Sequence, residues 1–96
     1  MKIVISKEAM TWFKEEMETK SGEYIHFYAR YGGSSSLHDA FSLGVTKEQP
    51  MDPSVEYEED NIHFYIESRD EWYFDHHDLH VNVDKELKEL TYSYKK

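Results

Sequence analysis

Tyr24-Ile25-His26-Phe27-Tyr28-Ala29-Arg30-Tyr31-Gly32-Gly33-Ser34-Ser35-Ser36 is the stretch on which the fold turns. Successive side chains of a strand point to opposite faces, so Ile25, Phe27, Ala29 and Tyr31 make one face. Tyr24, His26, Tyr28 and Arg30 make the other. The first set is apolar enough to face a core; the second reads as a solvated or partner-facing surface. Two glycines and three serines then force a loop, because glycine tolerates the backbone angles of a sharp exit.

Working outward, the same period of two recurs. Phe41, Leu43 and Val45 share a side, as do Ile62, Phe64 and Ile66, then Leu79, Val81 and Val83, then Leu90, Tyr92 and Tyr94. Lys2 to Ile5 and Val55 to Glu58 predict two shorter strands, and Asp60-Asn61 a tight turn. Gln49 to Ser54 holds both prolines and reads as a loop. Ala9, Met10, Phe13 and Met17 instead follow helical spacing, predicting a helix over 7–20 with Ser6 as N-cap and Gly22 beyond its end. Trp12 lies off that face, at the core edge or as an anchor for a partner. Ser68 followed three residues later by Glu71 fits a capping box for a short helix over 69–74, with Trp72 and Tyr73 as core bulk. The expected class is mainly β (α+β by content): an antiparallel β-sandwich with an N-terminal helix and a second short helix. Most connections are of hairpin length, which favours antiparallel pairing.

At 96 residues the chain reads as one domain with a thin core, to which the 16% of aromatic residues contribute large buried areas. Its net charge is −9, with 20 acidic residues against 11 basic ones. Such a polyanion repels phosphate backbones and anionic bilayers, so neither nucleic acid nor membrane is an expected partner. Met1 to Ile5 is too short for a secretory signal and no apolar run is long enough to span a bilayer, so a cytoplasmic, bacterial protein is expected. The absence of cysteine removes disulfides, thiolate nucleophiles and thiolate metal ligands.

In order and spacing these segments resemble the HesB/IscA-like family, the A-type iron–sulfur carriers. The family's strand leading into a Gly-Gly-Cys-Ser-Gly loop is matched by Tyr31-Gly32-Gly33-Ser34-Ser35-Ser36, about two residues longer here. Its aromatic–x–leucine strand is matched by Phe41-Ser42-Leu43. Its Asp-Pro-x-Ser-x-x-Tyr-Leu-x-Gly segment falls on the run from Ser68 to His76, with Tyr73 and Leu79 in register, and its late Phe-Val-Phe strand on Leu90-Thr91-Tyr92. The resemblance implies a HesB-like sandwich and a frequent tendency to form homodimers. It does not extend to the ligands. The first cluster cysteine is replaced by Ser34, and the two of the family's Cys-Gly-Cys tail have no counterpart. A serine hydroxyl stays protonated at neutral pH and is a poor ligand for iron and sulfide. The chain is therefore expected to hold no cluster or other cofactor and to resemble the short cysteine-less HesB-like proteins: not an enzyme, but a protein with an interaction role related to iron–sulfur assembly.

A different class of function is a histidine-based metal site. Asp75-His76-His77-Asp78-Leu79-His80 has a metal-like composition, but His76 and His80 share a face only on a helix, and a polar turn entering a strand is the favoured reading of the segment. His26, His63 and His80 sit on the non-core faces of three strands, which zinc would need brought together. The glycine–serine loop suits a nest of amides for an anion, though it lacks a phosphate-loop motif. Ser34 near His38 and Asp39 is a nominal hydrolase triple, which sequence adjacency does not make into a triad. The acidic run Glu56, Glu58, Glu59 and Asp60 reads as a solvated hairpin.

Overall fold

A computed structural model describes residues 1–96. The order is β1 (Ile3–Ile5), α1 (Lys7–Glu15), β2 (Tyr24–Tyr31), β3 (Phe41–Lys47), β4 (Pro53–Glu59), β5 (Ile62–Glu67), a 3₁₀ helix (Ser68–Phe74), β6 (Asp78–Asp84) and β7 (Glu89–Lys95). The strands form a four-stranded sheet in the order β3-β2-β5-β4 and a three-stranded sheet in the order β1-β6-β7. One apolar cluster draws on both: Ile25, Phe27, Phe64 and Ile66 from the larger sheet, Ile3, Ile5, Leu79 and Val81 from the smaller, and Ala9, Met10 and Phe13 from α1. The expected sandwich with its two helices is the observed architecture.

Antiparallel pairing holds for β2–β3, β4–β5 and β6–β7. Two pairings are parallel instead: β1 with β6, and β2 with β5. Both join strands far apart in sequence, and hairpin-length connections carry no information about such pairs. Asp60 and Asn61, at φ 52° and 60°, make the β4–β5 turn as expected.

Local differences from expectation have local causes. Ser6 caps α1 through its Oγ, 3.0 Å from the Ala9 amide. The helix closes at Glu15 rather than running to Lys20, because Glu18 turns left-handed (φ 51°) and the Thr19 amide donates back to the Phe13 carbonyl at 3.0 Å. Pro53 starts β4 rather than lying in the loop, at an edge strand where its missing N–H costs no sheet bond. The Ser68–Glu71 capping box does not form; Glu67 holds the N-cap position without a side-chain bond, and the Ser68 amide donates to the Asp52 carbonyl. Three residues per turn then direct Tyr73 and Phe74 inward, both fully buried, and leave Trp72 52% exposed instead of in the core.

The outer face of the larger sheet is the main correction. It is not simply solvated: His26, Tyr65 and Glu67 are 2%, 1% and 4% exposed. The segment after β3 folds back over them. Tyr65 donates its hydroxyl to the Glu48 carbonyl at 2.6 Å, and the Glu67 carboxylate accepts from the Met51 and Asp52 amides at 2.8 and 2.7 Å. The absent side chain of Gly44 leaves room on that face for the Tyr28 ring, whose Cζ would lie 2.4 Å from a Cβ there.

Candidate functional site

The loop after β2 is held by its own bonds. Gly32 and Gly33 take φ values of 118° and 68°, and the Ser42 hydroxyl donates to the Gly32 carbonyl at 2.9 Å. Ser35 Oγ accepts from the Leu37 and His38 amides, while the Ser35 amide donates to the His38 carbonyl. Ser34 projects into solvent. His38 does not face it: its Nε2 donates to the Tyr73 carbonyl at 2.9 Å, and Asp39 is exposed. The nominal Ser34–His38–Asp39 triple therefore has no base directed at the hydroxyl. The residues present at this loop also do not fit an iron–sulfur cluster. A single exposed hydroxyl is the only side chain at the position of the family's cysteine, and no soft donor stands near it.

Beside the loop, the ends of β2, β3 and the 3₁₀ helix bring aromatic rings to the surface. Phe41 packs edge-on between Tyr31 and Trp72, with ring centroids 5.5 and 5.2 Å apart, and His38 lies 5.4 Å from Trp72. Tyr31 is 82% exposed, although it shares the core-facing side of β2. Burial falls away along that strand, from Ile25–Phe27 to Arg30–Tyr31. This patch was not legible as a site, since both Tyr31 and Trp72 read as core.

The histidines proposed as ligands are dispersed. His26 and His63 lie on neighbouring strands of the larger sheet, whereas His80 lies on β6 of the other sheet. His63 stacks on Tyr24 at 4.6 Å and faces Glu58 at 3.4 Å. His76 is exposed at φ 62°, and His77 directs Nδ1–H to the Phe74 and Asp75 carbonyls, both at 2.9 Å. His26, His63, His76, His77 and His80 thus make no common site, and no three His, Asp or Glu side chains are placed to hold a metal ion.

His26 is the one buried histidine, and it lines a cavity. A polar pocket of about 380 Å³ is lined by His26, Tyr28, Thr46, Glu48, Arg69 and Asp70, with Ala29. Burial raises the Asp70 carboxyl above its ordinary value, offset in part by the charges of Arg69 and His26. Glu67, close by, moves the other way: burial alone would raise it, but the Met51 and Asp52 amides and the charges of His26 and Arg69 outweigh that and lower it.

Residues 1–94 match the family described as Iron-sulphur cluster biosynthesis. A protein of Bacillus subtilis (strain 168) named pyruvate dehydrogenase inhibitor is 43% identical over 94 residues, which cover 98% of this chain and 99% of that one. Uncharacterized proteins of Staphylococcus saprophyticus and Staphylococcus aureus (strain MRSA252) are 35% and 36% identical over 98 residues, each covering 99% of this chain and all of theirs. The chain is therefore a cysteine-less member of the iron-sulphur cluster biosynthesis family.

Proposed function

We propose that this chain is a non-catalytic protein-binding domain whose partner is a pyruvate dehydrogenase, which it inhibits by complex formation. The observation that carries this reading is the end-to-end similarity, at 43% identity, to the Bacillus subtilis protein of that name. The chemistry of the chain supports it. Ser34 stands alone where a cluster ligand or a nucleophile would need partners, whereas Tyr31, Phe41 and Trp72 offer an aromatic surface of the kind that dominates protein interfaces. The family scaffold is thus retained while the carrier's ligands are not.

The test is binding of the purified chain to the intact pyruvate dehydrogenase complex of its own organism, followed by sedimentation. Co-sedimentation that is lost in a Tyr31→Ser/Trp72→Ser variant is the expected result. Both side chains are largely exposed, so the variant should fold, which circular dichroism checks. No co-sedimentation of the unmodified chain would overturn the reading.

A further inference from the structure

The pocket at His26 is not used by the aromatic patch, and its chemistry is unbalanced. The imidazole lies flat on the Tyr65 ring, 4.8 Å between centroids and 7° between planes, so it is fixed in place. Neither ring nitrogen has a hydrogen-bond partner although the side chain is 2% exposed. Glu48 Oε2 stands 3.5 Å from Nδ1, and Asp70 Oδ2 stands 3.8 Å from Nε2. Both distances exceed an ordinary N–H···O bond of ~2.7–3.2 Å. A neutral imidazole offers one N–H and one lone pair, so it can satisfy at most one of the two carboxylates. Glu48 and Asp70 pair with no lysine or arginine, and Arg69 at the rim is exposed and forms no ion pair.

We propose that this pocket receives the guanidinium group of an arginine side chain carried by the protein partner. The claim rests on the reading that the chain acts by binding a protein. Two acceptors are on offer, the carboxylates of Glu48 and Asp70, which stand against the buried imidazole. They face the two different nitrogens of one imidazole ring, and no three His, Asp or Glu side chains are placed to hold one metal ion. A planar fork of five N–H donors bridges such a span, where a compact ammonium or metal ion does not. Charge agrees, since a chain carrying −9 favours a basic group on whatever docks against it. Glu48, half exposed, stands at the mouth; Asp70, 14% exposed, lies deeper.

Two measurements test this. In the first, the His26 ring resonances of the isolated chain are followed by NMR during titration with N-acetyl-arginine methylamide. Its uncharged isostere N-acetyl-citrulline methylamide is the control. Saturable shifts with the arginine compound alone are expected. No saturable shift, or equal shifts with citrulline, would overturn the proposal. In the second, Glu48→Gln and Asp70→Asn are each expected to weaken the complex with pyruvate dehydrogenase about ten-fold, the scale of a lost charge-assisted hydrogen bond. Arg69→Ala, which removes a like charge from the rim, should tighten it. Unaltered binding by Glu48→Gln, a surface substitution that the fold tolerates, would overturn the arginine pocket while leaving the partner reading intact. If the unmodified chain binds no pyruvate dehydrogenase, the partner reading fails and the NMR titration decides the pocket.

Discussion

Glu67 directs its carboxylate at two backbone amides rather than at a cation, and so fixes the segment that covers the sheet's outer face. Glu67→Ala leaves the Met51 and Asp52 amides without their acceptor; a loss of about 3 kcal/mol in urea unfolding is expected. Its folded-state value lies below the ordinary 4.5, so its stabilisation is complete above about pH 4.5 and is lost as pH falls through the lowered folded value. Glu67→Gln should therefore flatten the acid limb of the stability profile. Tyr65 acts at the other end. Burial, then the charges of Glu48 and Glu67, push its hydroxyl up from 10.0 to about 12. That contribution is whole below pH 10 and disappears as pH rises toward 12, so Tyr65→Phe should remove an alkaline step measured by tyrosinate absorbance. The alternation along β2 and β5 placed His26 and Tyr65 on the non-core side correctly. Their burial was not legible, because it depends on bonds from residues 48–52, which no local period reports.

Secondary structure was largely visible because each element has an amphipathic period and a punctuating residue. All seven strands and both helices fall where the patterns put them, apart from their ends. Ser6 is the clearest local signal, and Ser6→Ala should cost about 1 kcal/mol. The end of α1 was misjudged, since Glu18 gives no hint that it adopts φ 51°. Glycine is relaxed there, so Glu18→Gly should raise stability by about 0.5 kcal/mol in the same urea assay. The 3₁₀ geometry of Ser68–Phe74 was equally hidden, and with it the exposure of Trp72. That single difference in pitch turns a residue expected in the core into part of an exposed aromatic surface.

At the scale of the whole molecule, two sheets and both helices close one core in a chain that has no cysteine for a disulfide. The family was legible from the spacing of its strands around the Gly32–Gly33 turn, because those residues shape the backbone whether or not a cysteine follows. What an exposed face binds was not, because no period or motif encodes it. An aromatic patch and a carboxylate-lined pocket both draw on the same 3₁₀ helix, Trp72 contributing to one and Arg69 and Asp70 to the other. The most direct measurement is the initial rate of the purified pyruvate dehydrogenase complex of the same organism at increasing concentrations of the chain, freed of metal by chelation. A saturable fall in rate, unchanged by the chelator and absent with the Tyr31→Ser/Trp72→Ser variant, is the predicted result. A rate that does not respond to the chain at all would contradict the account.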